Sequence, residues 1–496
     1  MATGWAIFSY FIDSDSLGML SESIEESIMV LWNEVYRCIE ALRQACTRTR
    51  TYCWMVMAIA CMLARPDLAG VTSFVRAGWL AERCYHRLLA LFHTPALRLD
   101  VLTACWVKLV LKLFSPVTVN GYHVCVGDEI KIPKEGKKMP GVKRLHNSSD
   151  NNSKPSFIMG HSFQAISLLV QGAGGVVCAV PLLSRICQGV VFCNANRRSL
   201  LDKFVTLFHE VCPLFDSPLL LVADAYYASG KIILPLQADG HHLVTRVRSN
   251  AVGYEPAPRP KIRRRGRPKL YGKKVKLRFI FKNPEKFSEA TSPVYGEEQV
   301  ILRYRSVELL WRPTRKLVRF VCVIHPNRGS IILMCTETNM DPLEIIGLYG
   351  LRFKIEFGFK QAIHTLGAYA YHFWMKAMTP INLRSGNQHM HRRPKWYRDA
   401  VLRKLGAYHR YVQLACVAQG LLQHLALNFG ATVWHSFRSW LRTMKPHLPP
   451  SEMVVAMALR TGLPEYLRSA DDSHILRKMI AENSDPARMP DWRMVA

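Results

Sequence analysis

What this chain lacks narrows what it can be. None of its 14 cysteines forms a Cys-x2-Cys pair, which argues against a zinc ribbon and against a secreted disulfide scaffold. Free, buried thiols in a reducing compartment are the expectation. No apolar run reaches the ~20 residues that a membrane-spanning helix needs. The most apolar stretch, Tyr52-Cys-Trp-Met-Val-Met-Ala-Ile-Ala-Cys-Met-Leu-Ala64, stops at Arg65-Pro66 and reads as a buried helix. No basic-then-apolar signal peptide opens the sequence, so a soluble, cytoplasmic protein is expected. Acids are scarce too: 37 against 66 Lys and Arg, a net charge of +29 and a pI near 9.8. That excess points to a polyanionic partner, most simply nucleic acid.

What is present is enough to fold. A chain of 496 residues that is 49% hydrophobic has ample length for a large core. Residues 1–112 read as helices, with Leu31, Val35, Cys38, Leu42 and Cys46 at helical spacing, and Trp79, Leu80, Cys84, Leu88 and Leu91 likewise. The start at Val71-Thr-Ser73 suits a helix-turn-helix; a plain helical bundle fits as well.

Two segments deliver an aspartate from an apolar strand. In Val117-Thr-Val-Asn120-Gly121-Tyr-His-Val-Cys-Val126-Gly-Asp128, Asn-Gly between β-branched runs predicts a two-residue hairpin whose second arm ends at Asp128. Leu219-Leu220-Leu221-Val222-Ala223-Asp224 reads as a buried central strand ending in Asp224. Both carboxylates are expected at strand ends. Between them, strands near 157–159, 166–170 and 176–180 precede a helix capped by Ser199. Strand-strand-strand-helix-strand is an RNase H-like order.

The third acid comes from Tyr349-Gly-Leu-Arg352-Phe-Lys-Ile-Glu356-Phe-Gly-Phe-Lys360. As one helix, it aligns Tyr349, Arg352, Glu356 and Lys360 on one face. The intervening Leu351, Phe353, Ile355, Phe357 and Phe359 are apolar, so this helix is expected to be buried. Asp128, Asp224 and Glu356 then form a set of acids able to hold two divalent ions, and oxygen ligands suit Mg2+ or Mn2+.

These residues resemble the DDE-type transposases of bacterial insertion sequences, which have an RNase H-like core. The group with a Tyr-x2-Arg-x3-Glu-x6-Lys signature is the most similar. Tyr349, Arg352 and Glu356 match that spacing, while Ile363 stands where the group has lysine; Lys360 or His364 is the nearest substitute. Gly127-Asp128-Glu129, Lys134 to Lys143 with Met139-Pro-Gly-Val142, Gly160-His161 and Gly367-Ala-Tyr-Ala-Tyr371-His372-Phe-Trp374 also resemble a subgroup of these proteins. The resemblance covers roughly residues 50–380.

It implies an α/β protein with an RNase H-like catalytic core, a strand-rich insertion and helical flanks. The expected divisions are 1–112 (helical, with a possible role in binding DNA ends), 113–246 (first part of the core), 247–340 (β-rich basic insertion), 341–385 (the helix with the third acid) and 386–496 (helical). Within the insertion, β-type runs fall at 275–281, 300–307, 317–324 and 331–336; beyond it, 401–429 and 435–444 read as helices.

The resemblance further implies metal-dependent cleavage at mobile-element ends by Asp128, Asp224 and Glu356, followed by transfer of the 3′-OH ends into target DNA. The expected partners are double-stranded DNA (terminal inverted repeats and target) and a second copy in a homodimeric synaptic complex, associated with the nucleoid. Arg352 and Lys360 are expected to contact phosphates or balance the acids. Lys261, Arg263, Arg264, Arg265, Arg267 and Lys269, the densest basic run, and Lys137 and Lys138 complete the expected DNA surface. Arg265-Gly-Arg267-Pro268 also resembles the core of an AT-hook, which lies in a narrow minor groove. Two alternatives remain open: a silent, transposase-derived DNA-binding protein, and a structure-specific nuclease of the same fold.

Overall fold

The computed structural model describes residues 14–146, 155–258, 266–469 and 474–488. Lys261, Arg263, Arg264 and Arg265, and the polar loop at 147–153, lie outside the described residues.

Five helices open the chain: α1 (Ser14–Glu40), α2 (Thr49–Ala64), α3 (Gly70–Ala77), α4 (Cys84–His93) and α5 (Leu99–Leu113). α2 is the expected buried helix, with every residue from Trp54 to Ala64 in the core. It stops at Arg65 because Pro66 restricts the preceding residue to extended backbone. α3 leaves only Thr72 and Arg76 exposed, so it offers no open recognition face. Among the described residues, no helix is long and apolar enough to cross a membrane.

The chain enters the sheet through β1 (Ser115–Pro116) and β2 (Thr118–Val119). The expected hairpin forms: Asn120 and Gly121 both take positive φ, 48° and 81°, and β2 pairs back onto β3 (Tyr122–Pro133). Next come β4 (Lys143–His146), β5 (Phe157–Gln171), β6 (Val177–Ile186) and the short β7 (Val190–Val191). β5 is one long strand, not two. Ser199 caps α6 (Leu200–His209) in a reciprocal box with Asp202. Then follow β8 (Leu219–Ala223), α7 (Gly230–Ala238) and β9 (His242–Val247). The order β6-β5-β3-β8-β9 has antiparallel β6-β5-β3 and parallel β3-β8-β9. That is the RNase H-like core.

The strands after β9 do not form a separate sheet. β10 (Val252–Pro256), β11 (Tyr271–Lys276), β12 (Ser288–Thr291), β13 (Ile301–Trp311), β14 (Lys316–His325) and β15 (Gly329–Cys335) continue the core sheet, because β15 pairs antiparallel with β9. Of the run 275–281 expected as strand, only its start belongs to β11; a 3-10 helix over Leu277–Lys282 takes the rest.

The Tyr349–Lys360 segment departs from expectation in two ways. It forms two helices, α8 (Pro342–Gly350) and α9 (Phe353–His364), parted at Leu351 and Arg352. Nor is α9 buried: only Ile355 and Ala362 enter the core, and Phe353 and Phe357 are 42% and 51% exposed. Apolar composition alone does not reveal that no partner covers the outer face.

Beyond the two-residue β16 (Gln388–His389) lie α10 (Lys395–Asn428), α11 (Gly430–Ser436), α12 (Glu452–Ser469) and α13 (Ile475–Asn483). The expected helix at 435–444 ends at Ser436. These last helices pack on the first ones, α10, α12 and α13 against α2 and α12 against α1. Trp32 Nε1 donates to the Leu459 carbonyl at 3.2 Å, and His424 Nε2 lies 2.7 Å from Glu34 Oε1. The two ends of the described chain therefore share one helical layer.

Candidate active site

The site begins with a register. In the parallel β3–β8 pair, Gly127 lies opposite Ala223, the last residue of β8. β8 stops because Asp224 caps a 3-10 turn over Ala225–Tyr227: Asp224 Oδ1 accepts from the Tyr226 N–H at 2.9 Å. Thr245 Oγ1, on β9, donates to the Asp224 carbonyl at 2.6 Å and fixes it. β3 runs on for six residues after Gly127, because β5 keeps pairing with it as far as Pro133. Asp128 is thus inside a strand, not at its end as expected. It nonetheless emerges beside Asp224, where its parallel neighbour has stopped.

The third acid arrives on α9, which packs on β3 and β6. Arg352, at the α8–α9 break, joins the acids. Its Nη1 is 3.2 Å from Asp128 Oδ2 and its Nη2 is 2.6 Å from Glu356 Oε1. Asp128 is the inner acid, with its side chain 18% exposed, and Glu356 is the rim acid, at 55%. Burial pushes the Asp128 carboxyl up to about 6; the Glu129 N–H at 2.7 Å and the Arg352 guanidinium oppose this, while Asp224 and Glu356 add to it. Burial works against the Arg352 cation, yet Glu356 and Asp128 outweigh it and raise its pKa.

Three carboxylates with no sulfur or imidazole among them are hard oxygen donors, the set that fits Mg2+ or Mn2+. The mutual repulsion that helps raise Asp128 is what a cation between the acids would relieve.

Below the acids is a support that sequence reasoning missed. Tyr227 is buried against Phe204 of α6, with ring centroids 4.6 Å apart, and Asp128, Glu129 and Asp224 add to the burial that raises its hydroxyl. Tyr226 beside it is 48% exposed. The aromatic pair directly after Asp224 was the available signal. Glu129 points away from Asp128, as alternation demands, and accepts from Ser162 Oγ at 2.6 Å and Gln188 Nε2 at 3.3 Å.

The other expected site residues are spread out. Lys360 and His364 are exposed further along α9, and Ile363 packs partly into the core. Lys137 and Lys138 are exposed on the β3–β4 loop, where the Lys138 ammonium donates to the Lys376 carbonyl at 3.3 Å. That loop is fastened by His161 and Lys134. The fully buried His161 donates from Nε2 to the Pro140 carbonyl (2.9 Å), leaving Nδ1 to accept from the Tyr371 hydroxyl (2.6 Å). Lys134 donates to the Tyr369 and Tyr371 carbonyls. Arg267 and Lys269 are exposed just before β11, the last strand of the sheet order. β11 is seven strand positions from β3, a sheet width of about 33 Å at ~4.8 Å per strand. The structure therefore unites Asp128, Asp224, Arg352 and Glu356, and places Arg267 and Lys269 beside the edge strand of the sheet.

A model of the DDE superfamily endonuclease family matches residues 41–312, more than half of the 496 residues. The match includes Asp128 and Asp224 and ends before Arg352 and Glu356. No curated protein matches the chain.

Proposed function

Because the chain belongs to the DDE superfamily endonuclease family, we propose that it is a DNA transposase, cutting at the ends of a mobile element and joining the freed 3′ ends to target DNA. The observation that carries this reading is Arg352 bridging Asp128 and Glu356 at the end of a parallel strand pair, where Asp224 lies beside Asp128. The match to the Tyr-x2-Arg-x3-Glu spacing supports the transposase form of the activity over other nucleases of the family.

Asp128, Asp224 and Glu356 would hold divalent cations, two Mg2+ or Mn2+ per site. Bound there, such ions supply Lewis acidity and lower the pKa of a coordinated water. Asp128 and Asp224 hold the strand-borne side of the site rigid, since the sheet fixes both backbones. Glu356 closes it from the exposed rim. In the first step water adds to the scissile phosphorus, and the P–O3′ bond breaks with the proton going to the leaving 3′ oxygen. In the second, that 3′-OH attacks a target phosphodiester and displaces the target's own 3′ oxygen in line. Arg352, released from Asp128, is positioned to meet the phosphate's charge, with Lys360 about two turns further along. Lys137, Lys138, Arg267, Lys269 and the basic run at 261–265 would grip double-stranded DNA away from the cut, and paired ends call for a homodimer. Asp128, Asp224 and Glu356 are all retained, which favours an active enzyme over a silent DNA-binding descendant.

The test is a supercoiled plasmid carrying the flanking element ends, incubated with purified protein in Mg2+, in EDTA and with Asp224→Asn. Nicks with 3′-OH ends that need both metal and Asp224 support the nuclease step, and joined products support transposition. Tight DNA binding with no cleavage under any divalent metal would overturn the reading.

A further inference from the structure

A cavity of about 720 Å3 opens on the side of the sheet away from the acids. Gln164 lines it and pairs with Glu129, whose side chain faces away from that of Asp128. Its walls come from the approach to α5, from β5, from the end of β6 through β7 to Phe192, and from α6 and α10.

The lining is strongly cationic. Arg98, Arg185, Arg198, Lys203 and Arg410 face only two carboxylates, Asp100 and Glu210. Arg185 has Glu210 at 3.7 Å. The hydrogen bonds of the other four go to neutral oxygens: Arg98 to the Gln44 carbonyl (2.6 Å), Arg198 to Asn196 Oδ1 (3.1 Å), Lys203 to the Cys187 carbonyl (2.6 Å) and Arg410 to the Leu97 carbonyl (2.7 Å). Among the described residues, none of these four has a carboxylate partner within 4.0 Å. Burial also bears on Lys203, Arg185 and Arg410, lowering the pKa of each. Lys203 and Arg410, partly desolvated and holding only neutral dipoles, favour an incoming anion, which supplies the missing counter-charge, and the exposed Arg98 and Arg198 add to that attraction.

The rest of the lining is apolar. Phe192, Leu405, Ile186 and Leu207 form part of the wall. An aromatic face beside several cations suits a ligand that is anionic at one end and flat at the other. The volume lies within the range of about 300–1,000 Å3 typical of small-ligand sites.

We propose that this cavity binds a phosphate-bearing nucleotide unit, with Arg98, Arg198 and Lys203 on the phosphate and Phe192 beside the base. The unit is either a free nucleotide or the 5′-phosphorylated end of a DNA strand. Because the cavity lies across the sheet from Asp128, Asp224 and Glu356, occupancy is separable from cleavage.

The test uses full-length protein and a fluorescent adenine nucleotide followed by anisotropy. Wild type and Asp224→Asn should bind the probe equally. The Arg98→Gln/Arg198→Ser pair, both exposed positions, should bind at least tenfold more weakly with an unchanged melting temperature. Arg198→Ser alone serves if the pair is unstable. Displacement by unlabelled mononucleotide assigns the site to a free nucleotide, and displacement only by a 5′-phosphorylated oligonucleotide assigns it to a strand end. No probe binding by the wild type, or undiminished binding by the Arg198→Ser protein, would overturn the proposal. Since Asp224→Asn removes cleavage but not the cavity, failure here is distinguishable from failure of the transposase reading.

Discussion

Gly127 sits opposite Ala223 on the last rung shared by two parallel strands, and the residue following each is an aspartate. This rung sets the spacing of the inner acids, and it leaves no room for a side chain. A Cβ on Gly127 would lie 2.5 Å from Cζ of Phe204, a ring with no exposed surface. Gly127→Ala is expected to cost about 1–3 kcal/mol of stability. It should also weaken cleavage by tilting Asp128. Thermal melting paired with a nicking assay checks this, and an unaltered melting temperature would show that α6 yields freely.

Removing any one of the three acids should end cleavage without unfolding the protein. Asp128→Asn, Asp224→Asn and Glu356→Gln are each expected to lower the nicking rate by a factor on the order of 10^3 or more. Circular dichroism should remain that of the wild type. Full activity in Glu356→Gln would remove that residue from the site.

Arg352 competes for the carboxylate oxygens that a divalent cation would use. In Arg352→Gln, Mn2+ should raise the melting temperature more steeply than in the wild type, because no guanidinium has to leave Asp128 and Glu356. Cleavage should nevertheless fall at least about tenfold, since the phosphate loses a counter-charge. A weaker Mn2+ response in the variant would make Arg352 a support for the metal, not its rival.

Glu452 opens α12 in full burial, and that burial pushes its carboxyl up to about 8, against the opposing hydrogen bonds from Gln423 and Gln419. A carboxyl raised above its unfolded value favours folding while protonated. Its contribution is therefore fully present below the unfolded value of 4.5 and is lost as pH rises through about 8. Melting temperature should decline across that interval, and Glu452→Gln should flatten the decline. Gln419 also donates to the Gly358 carbonyl of α9 at 2.9 Å, so the loss should loosen the helix that carries Glu356.

Arg267 and Lys269 are exposed beside the edge strand β11, so their part in DNA binding should be purely electrostatic. Replacing both with Gln should reduce the slope of log affinity against log salt by about one per lost phosphate contact. Metal-dependent melting shifts should stay unchanged. An unaltered slope would move the DNA surface elsewhere.

Local signals in the sequence carried much of the core and the acids. The Asn120-Gly121 turn, the Ser199 cap and the apolar run before Asp224 each depend on residues close together in the chain. Features set by distant partners were not legible. The length of β3 past Asp128 depends on β5, more than 20 residues further on. The exposure of Phe353 and Phe357 depends on what fails to cover α9. Arg98, Arg198 with Lys203, and Arg410 come from three places in the chain and share no motif, so only folding reveals them as one cavity.

The shared layer of first and last helices has a consequence for synthesis. α2, apolar along almost its whole length, packs on α3 and α4 but owes the rest of its cover to α10, α12 and α13. At the usual pace of about 5–20 residues per second, roughly 20–60 s pass on the ribosome between the emergence of α2 and that of α10. Throughout that wait the part of α2 that α3 and α4 leave open is a sticky surface without its native cover, which makes the nascent chain a client for holding chaperones. Synthesis rate and chaperone supply, more than final stability, would then limit how much of this protein a cell can make.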